Sequence, residues 1–174
     1  MPITFDRCDD EVYDRVKEMI EQHHHELRDA EVTIQCLFAM NDDEDEPAVK
    51  APGGWPAYAV IRVVPLKQRV AGFRDAEITI DAAKWKDLTE PQRDALIDHE
   101  LQHLEVKYEG AGPGTPIATD DYGRPKLKLR QHDWEVAGFE VIAKRHPDAA
   151  LEVLAARNME QKFGKVLFGG VEVG

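Results

Sequence analysis

The chain has 174 residues, 43% hydrophobic and 32% charged, with 34 acidic side chains against 22 basic ones for a formal net charge of −12. That length suits one domain, residues 1–174, with enough apolar content for a core. The acidic balance argues against nucleic acid as a partner, since phosphate contacts need clustered Lys and Arg.

No apolar run approaches the ~20 residues needed to cross a bilayer. Met1 to Asp6 lacks the basic-then-apolar pattern of a secretory signal, so the expected address is cytoplasmic, away from any membrane. In a reducing compartment Cys8 and Cys36 read as free thiols, and neither belongs to a C-x-x-C pair.

In chain order, Asp9 to Leu27 carries Val12, Val16, Met19, Ile20 and Leu27 at helical spacing, with Asp9 or Asp10 as N-cap. The run His23-His24-His25 reads as a solvated helix end, because consecutive helical residues point in different directions. Val32 to Met40 is rich in β-branched and aromatic residues and predicts a buried strand. Asn41 to Glu46 is acidic and leads into a Pro/Gly-rich stretch, so about 41–56 reads as a mobile loop. It lacks the alternating acidic spacing of a calcium loop.

Ala57 to Leu66 predicts a second strand, and Ala76 to Asp81 a third. Thr89-Glu90-Pro91-Gln92 opens a helix as a capping box with Pro in the first turn, and the helix is expected to run to about Tyr108. Gly110 to Gly114 stops it, Asp120 to Gly123 makes a turn, and Pro125 to Arg130 predicts a short strand whose basic residues form its solvent face. A second long helix is expected from Asp133 to Arg145, then a helical stretch from Ala149 to Gln161 and a loose tail over about 162–174. The fold class is α+β: an N-terminal helix, a short mixed or antiparallel sheet and two long helices.

The segment His99-Glu100-Leu101-Gln102-His103 carries the chemistry. Four residues turn a helix by about 400°, so the two imidazoles lie about 40° apart on one face, with about 6 Å of rise between them. Both rings can then converge on one ion at ~2.0–2.1 Å. Glu100 lies about 100° round from His99, too far to be the natural third ligand, yet within reach of a water beside the ion. The flanking Leu96, Ile97, Leu101 and Leu104 place this polar set against an apolar interior, where it needs a partner such as a metal.

A third ligand is expected downstream. His132 leads, with Glu135 as the alternative; Glu140 faces elsewhere, and His146 lies at the far end of the expected helix. These residues predict one Zn²⁺ per chain, with Glu100 as general base and a protein or peptide as substrate. Tyr122 or Arg130 could stabilise the oxyanion. The strand Ala76 to Asp81, through Glu77, Thr79 and Asp81, is the expected edge for an extended substrate. The competing reading is a catalytically silent, zinc-stabilised module that captures a partner protein.

Four segments, GWPAYAVIRVVPLKQRV, DAEITIDAAKW, LTEPQRDALIDHELQHLEV and GRPKLKLRQHDWEVAGF, resemble the metallopeptidase family encoded by phages and prophages. The resemblance spans about Gly54 to Lys144. It implies a zincin-like fold, His99, His103 and His132 as zinc ligands, Glu100 as base, and the host cytoplasm as location. A helix with HExxH followed by a later His is also loosely similar to SprT-like metalloproteases.

Overall fold

A computed structural model of the chain describes residues 2–133, 138–163, 167–168 and 171–172. The chain opens with β1 (Ile3–Arg7), a short and mostly exposed strand that the sequence reading did not anticipate. α1 (Asp10–His23) follows, capped by the Asp9 carboxylate on the Val12 N–H and burying Val12, Val16 and Met19. His24 breaks the helix, and α2 (His25–Asp29) turns the chain into β2 (Ile34–Asn41).

β3 (Ala59–Val63) is shorter than expected, because Pro65 ends it and opens α3 (Leu66–Val70). β4 (Ala76–Asp81) has its predicted span, and the Asp81 carboxylate caps α4 (Ala82–Asp87). The sheet order is β1-β2-β4-β3, with β2 and β4 parallel and the other pairs antiparallel. β4 therefore lies inside the sheet with neighbours on both sides and is buried at nearly every residue.

This corrects the expected substrate edge. Glu77 accepts from Arg62 and Gln35, Thr79 sits between Leu37 and Val60, and Asp81 also accepts the Ala48 N–H. The edges of the sheet belong to β1 and β3, and β3 is the one beside α5. The Val64 N–H donates to Asp75 and the Asp81 N–H to Tyr58, so the even-numbered main-chain groups turn toward β4. By alternation, those of Ala59, Ile61 and Val63 turn away from it.

α5 (Glu90–Gln102) starts on the predicted capping box, with Thr89 and Gln92 bonded reciprocally and Pro91 in the first turn. It ends earlier than expected. Leu104 and Val106 are both buried, a period of two, and the chain leaves the helix to form β5 (Leu104–Val106), paired with β6 (Leu127–Leu129). Six of the last eight residues from Ala95 are buried, so α5 is an interior helix with core on more than one side. Leu96, Ile97 and Leu101 join the main core with α1 and the sheet, while Ala95 joins a smaller, alanine-rich core with Phe139, Ile142, Ala150 and Val153.

That second core belongs to α6 (Glu140–Arg145) and α7 (Leu151–Phe163). The long helix expected from Asp133 does not form: Phe139 is extended (φ −118°, ψ 131°), and the Asp133 carboxylate caps the Glu140 N–H. A Gly at 138 weakens the helical alternative by about 1 kcal/mol. Trp134 to Ala137 lie outside the described residues, and with them Glu135, the alternative ligand. In the tail, β7 (Leu167–Phe168) pairs with β8 (Val171–Glu172), where the sequence suggested no structure. No helix among the described residues is long and apolar enough to cross a membrane.

Candidate metal centre

α5 presents His99 one turn from its C-terminus, and His103, the C-cap residue, keeps helical dihedrals (φ −65°, ψ −26°). Its ring therefore stays in register with His99 although the helix stops there, with ring centroids 5.2 Å apart. β6 returns antiparallel to β5 and delivers His132, exposed and three residues beyond the strand, to the same place. One ligand atom from each of the three imidazoles lies within 4.8 Å of the others, and the His99 and His132 Nε2 atoms are 3.1 Å apart.

The Nδ1 atoms of His99 and His103 are occupied. His99 Nδ1 lies 2.5 Å from a Glu152 oxygen on α7, and His103 Nδ1 lies 2.8 Å from the Arg130 carbonyl. Both partners are acceptors, so Nδ1 carries the proton and Nε2 the lone pair. Phe139, fully buried, stands edge-on to all three rings at 4.8–5.2 Å.

The donor set fits a metal. Tetrahedral coordination with bonds of ~2.05 Å separates the nitrogens by about 3.3 Å, close to the observed approach of His99 and His132. Two lone pairs at that distance repel unless a proton or a cation lies between them. Among the described residues three side chains supply nitrogens to the cluster, the number of protein ligands that catalytic zinc sites use.

The electrostatics follow from burial. Burial pushes the Glu100 carboxyl up to about 7, partly offset by His99, and the Ile61 main-chain N–H on the free edge of β3 faces it. His132 is pulled down to about 4 by desolvation and by the two neighbouring imidazoles. His103 is lowered by burial, whereas for His99 the Glu152 carboxylate and Glu100 outweigh burial and raise it.

A family sequence model described as "Putative phage metallopeptidase" matches residues 5–160. The chain belongs to this family. Comparison with curated proteins and with solved structures finds no match. As a member of a metallopeptidase family, the chain has three histidines that could hold a metal on a small α+β fold, and the match extends the sequence resemblance through α1 and most of α7.

The other candidates sort by their partners. Arg130 reaches the site through its carbonyl; its guanidinium donates to the Gln102 carbonyl at 2.7 Å. Tyr122 is 66% exposed in a turn whose Asp120 and Arg124 are tied to α3 and to the start of β4. His146 does not join the cluster: its Nε2 lies 2.8 Å from Asp98. His24, expected in solvent, is buried and lies 2.6 Å from the same carboxylate. Sequence reasoning missed Glu152, yet a signal was present. With Ala149, Val153 and Ala156 buried around it, Glu152 is a lone carboxylate on the apolar stripe of its helix.

Proposed function

We propose that the chain is a zinc-dependent peptidase in which His99, His103 and His132 hold the ion and Glu100 is the general base. The observation that carries this reading is the convergence of three Nε2-presenting imidazoles beside a buried glutamate. Zinc bound there supplies Lewis acidity, bringing the pKa of a water toward ~7 and polarising a carbonyl.

The chain's own groups account for the rest. Glu100, one residue from His99, takes the proton of the attacking water and returns it to the leaving amine. The outward main-chain groups of Ala59, Ile61 and Val63 hold an extended peptide by β-addition, alongside the carboxylate that faces Ile61. Arg130 is committed to the end of α5, and the turn of Tyr122 is tied to α3 and the start of β4, so neither side chain is assigned to the oxyanion.

Glu100→Gln separates this reading from a silent binding module. On zinc-loaded protein, cleavage of an unfolded protein substrate should fall by about 10²–10⁴-fold in the variant with zinc content unchanged. Full hydrolysis by the variant would remove Glu100 from the mechanism. Loaded parent protein that cleaves none of a broad peptide set would favour the module.

A further inference from the structure

Glu152 is held in place more tightly than a helix-surface glutamate needs to be. It is 4% exposed and aims one oxygen at His99 Nδ1, across a sequence separation of 53 residues. Its other oxygen, Oε1, is buried without a hydrogen-bond partner among the described residues. A buried oxygen without a partner is costly, so packing alone does not account for a carboxylate here.

The backbone has been cleared to let it in. A Cβ on Gly138 would stand 2.3 Å from Glu152 Cβ, 2.8 Å from Cγ and 2.9 Å from Oε2, so only glycine fits. The next residue, Phe139, is the ring that packs on all three histidines. Gly138 and Phe139 thus seat α7 against the cluster, with Glu152 on the Nδ1 side of His99.

We propose that Glu152 is a positioning residue for the metal centre, holding His99 with its proton on Nδ1 and its Nε2 lone pair toward the ion, and that Gly138 is the glycine that admits it. This rests on the three-histidine metal site. A charged acceptor on the far nitrogen fixes ring orientation, and by polarising the imidazole it makes the ligand a stronger donor. An acceptor without the charge keeps the orientation and loses the polarisation. The C-terminal helix is then part of the metal centre although it supplies no ligand.

The test is zinc affinity of the full chain, measured by competition with a chromophoric chelator, with the visible spectrum of the cobalt-substituted protein as a second readout. Glu152→Ala should weaken zinc binding about 10–100-fold and alter the cobalt bands, while circular dichroism reports a retained fold. Glu152→Gln, nearly isosteric, should lie between the variant and the parent. Gly138→Ala should weaken zinc binding with Glu152 still present. Parent and both Glu152 variants binding zinc equally, with identical cobalt spectra, would overturn the positioning role and leave the metal site standing. Parent protein that takes up no zinc would overturn both.

Discussion

Two adjacent residues of α5, Asp98 and His99, anchor two clusters of histidine and carboxylate, and the clusters differ in what they leave unsatisfied. Around Asp98, which is fully buried, His24, His146 and Arg145 all point their nitrogens at one carboxylate, at 2.6, 2.8 and 2.9 Å. Around His99 the acceptors sit behind the rings, and the converging Nε2 atoms are left to one another. The first arrangement is complete without a metal. It ties the end of α1 and the end of α6 to the middle of α5. The second leaves converging ring nitrogens whose lone pairs need a proton or a metal cation between them. Histidines and a buried carboxylate make up both, so the direction of the ring nitrogens separates structural from ligating histidines.

The sharpest way to break this contrast is to remove the carboxylate of the metal-independent cluster. Asp98→Asn takes the charge from the one buried acceptor that His24, His146 and Arg145 share, and breaking a buried pair in this way costs about 3–5 kcal/mol. For a chain of this size that corresponds to a fall in Tm on the order of 10 °C, measurable by thermal circular dichroism on metal-free protein. An unchanged Tm would show that the Asp98 cluster is not what joins the helices.

A pH titration sharpens the same point. Burial alone would raise the Asp98 carboxyl, but the bonds from His146 and His24 and the charge of Arg145 outweigh it and hold it well below the usual carboxylate range. A depressed folded pKa contributes stability above the unfolded value of about 3.9, which is lost as pH falls through the folded one. Parent protein should therefore lose stability more steeply below about pH 4 than Asp98→Asn, read from urea midpoints at several pH values. Parallel curves would contradict the shift.

A smaller effect is expected far from both clusters. Thr89→Ala removes one half of the capping box that starts α5 and should cost about 1 kcal/mol without altering zinc content. Zinc lost from this variant would mean that the start of the helix, and not its histidine-bearing end, governs the site.

These two clusters also mark how far the sequence could be read. β4 and the capped start of α5 were legible because their signals are local: alternation with β-branched residues, and a reciprocal Thr and Gln pair around a proline. The histidines of HELQH were legible because helical spacing alone puts them on one face. His132 could be nominated by residue type, although the helix expected to carry it gives way to an extended Phe139.

What escaped was non-local. His24 looked like one of three solvent histidines until Asp98, 74 residues away, gave it a partner. Which strands lie at the edges of the sheet could not be read from the strands themselves, since the order β1-β2-β4-β3 depends on which strands meet in space. β5 was hidden inside an apparent helix, because Leu104 and Val106 fit either period until β6 pairs with them.

The central claim is that three imidazoles form one metal centre, and zinc per chain tests it most directly. The measurement is elemental analysis of protein purified without a histidine tag, for the parent and for His132→Ala. About one zinc in the parent and a large loss in the variant is the predicted result. Equal zinc in both would contradict His132 as a ligand, and no zinc in the parent, even after dialysis against the metal, would contradict the centre itself.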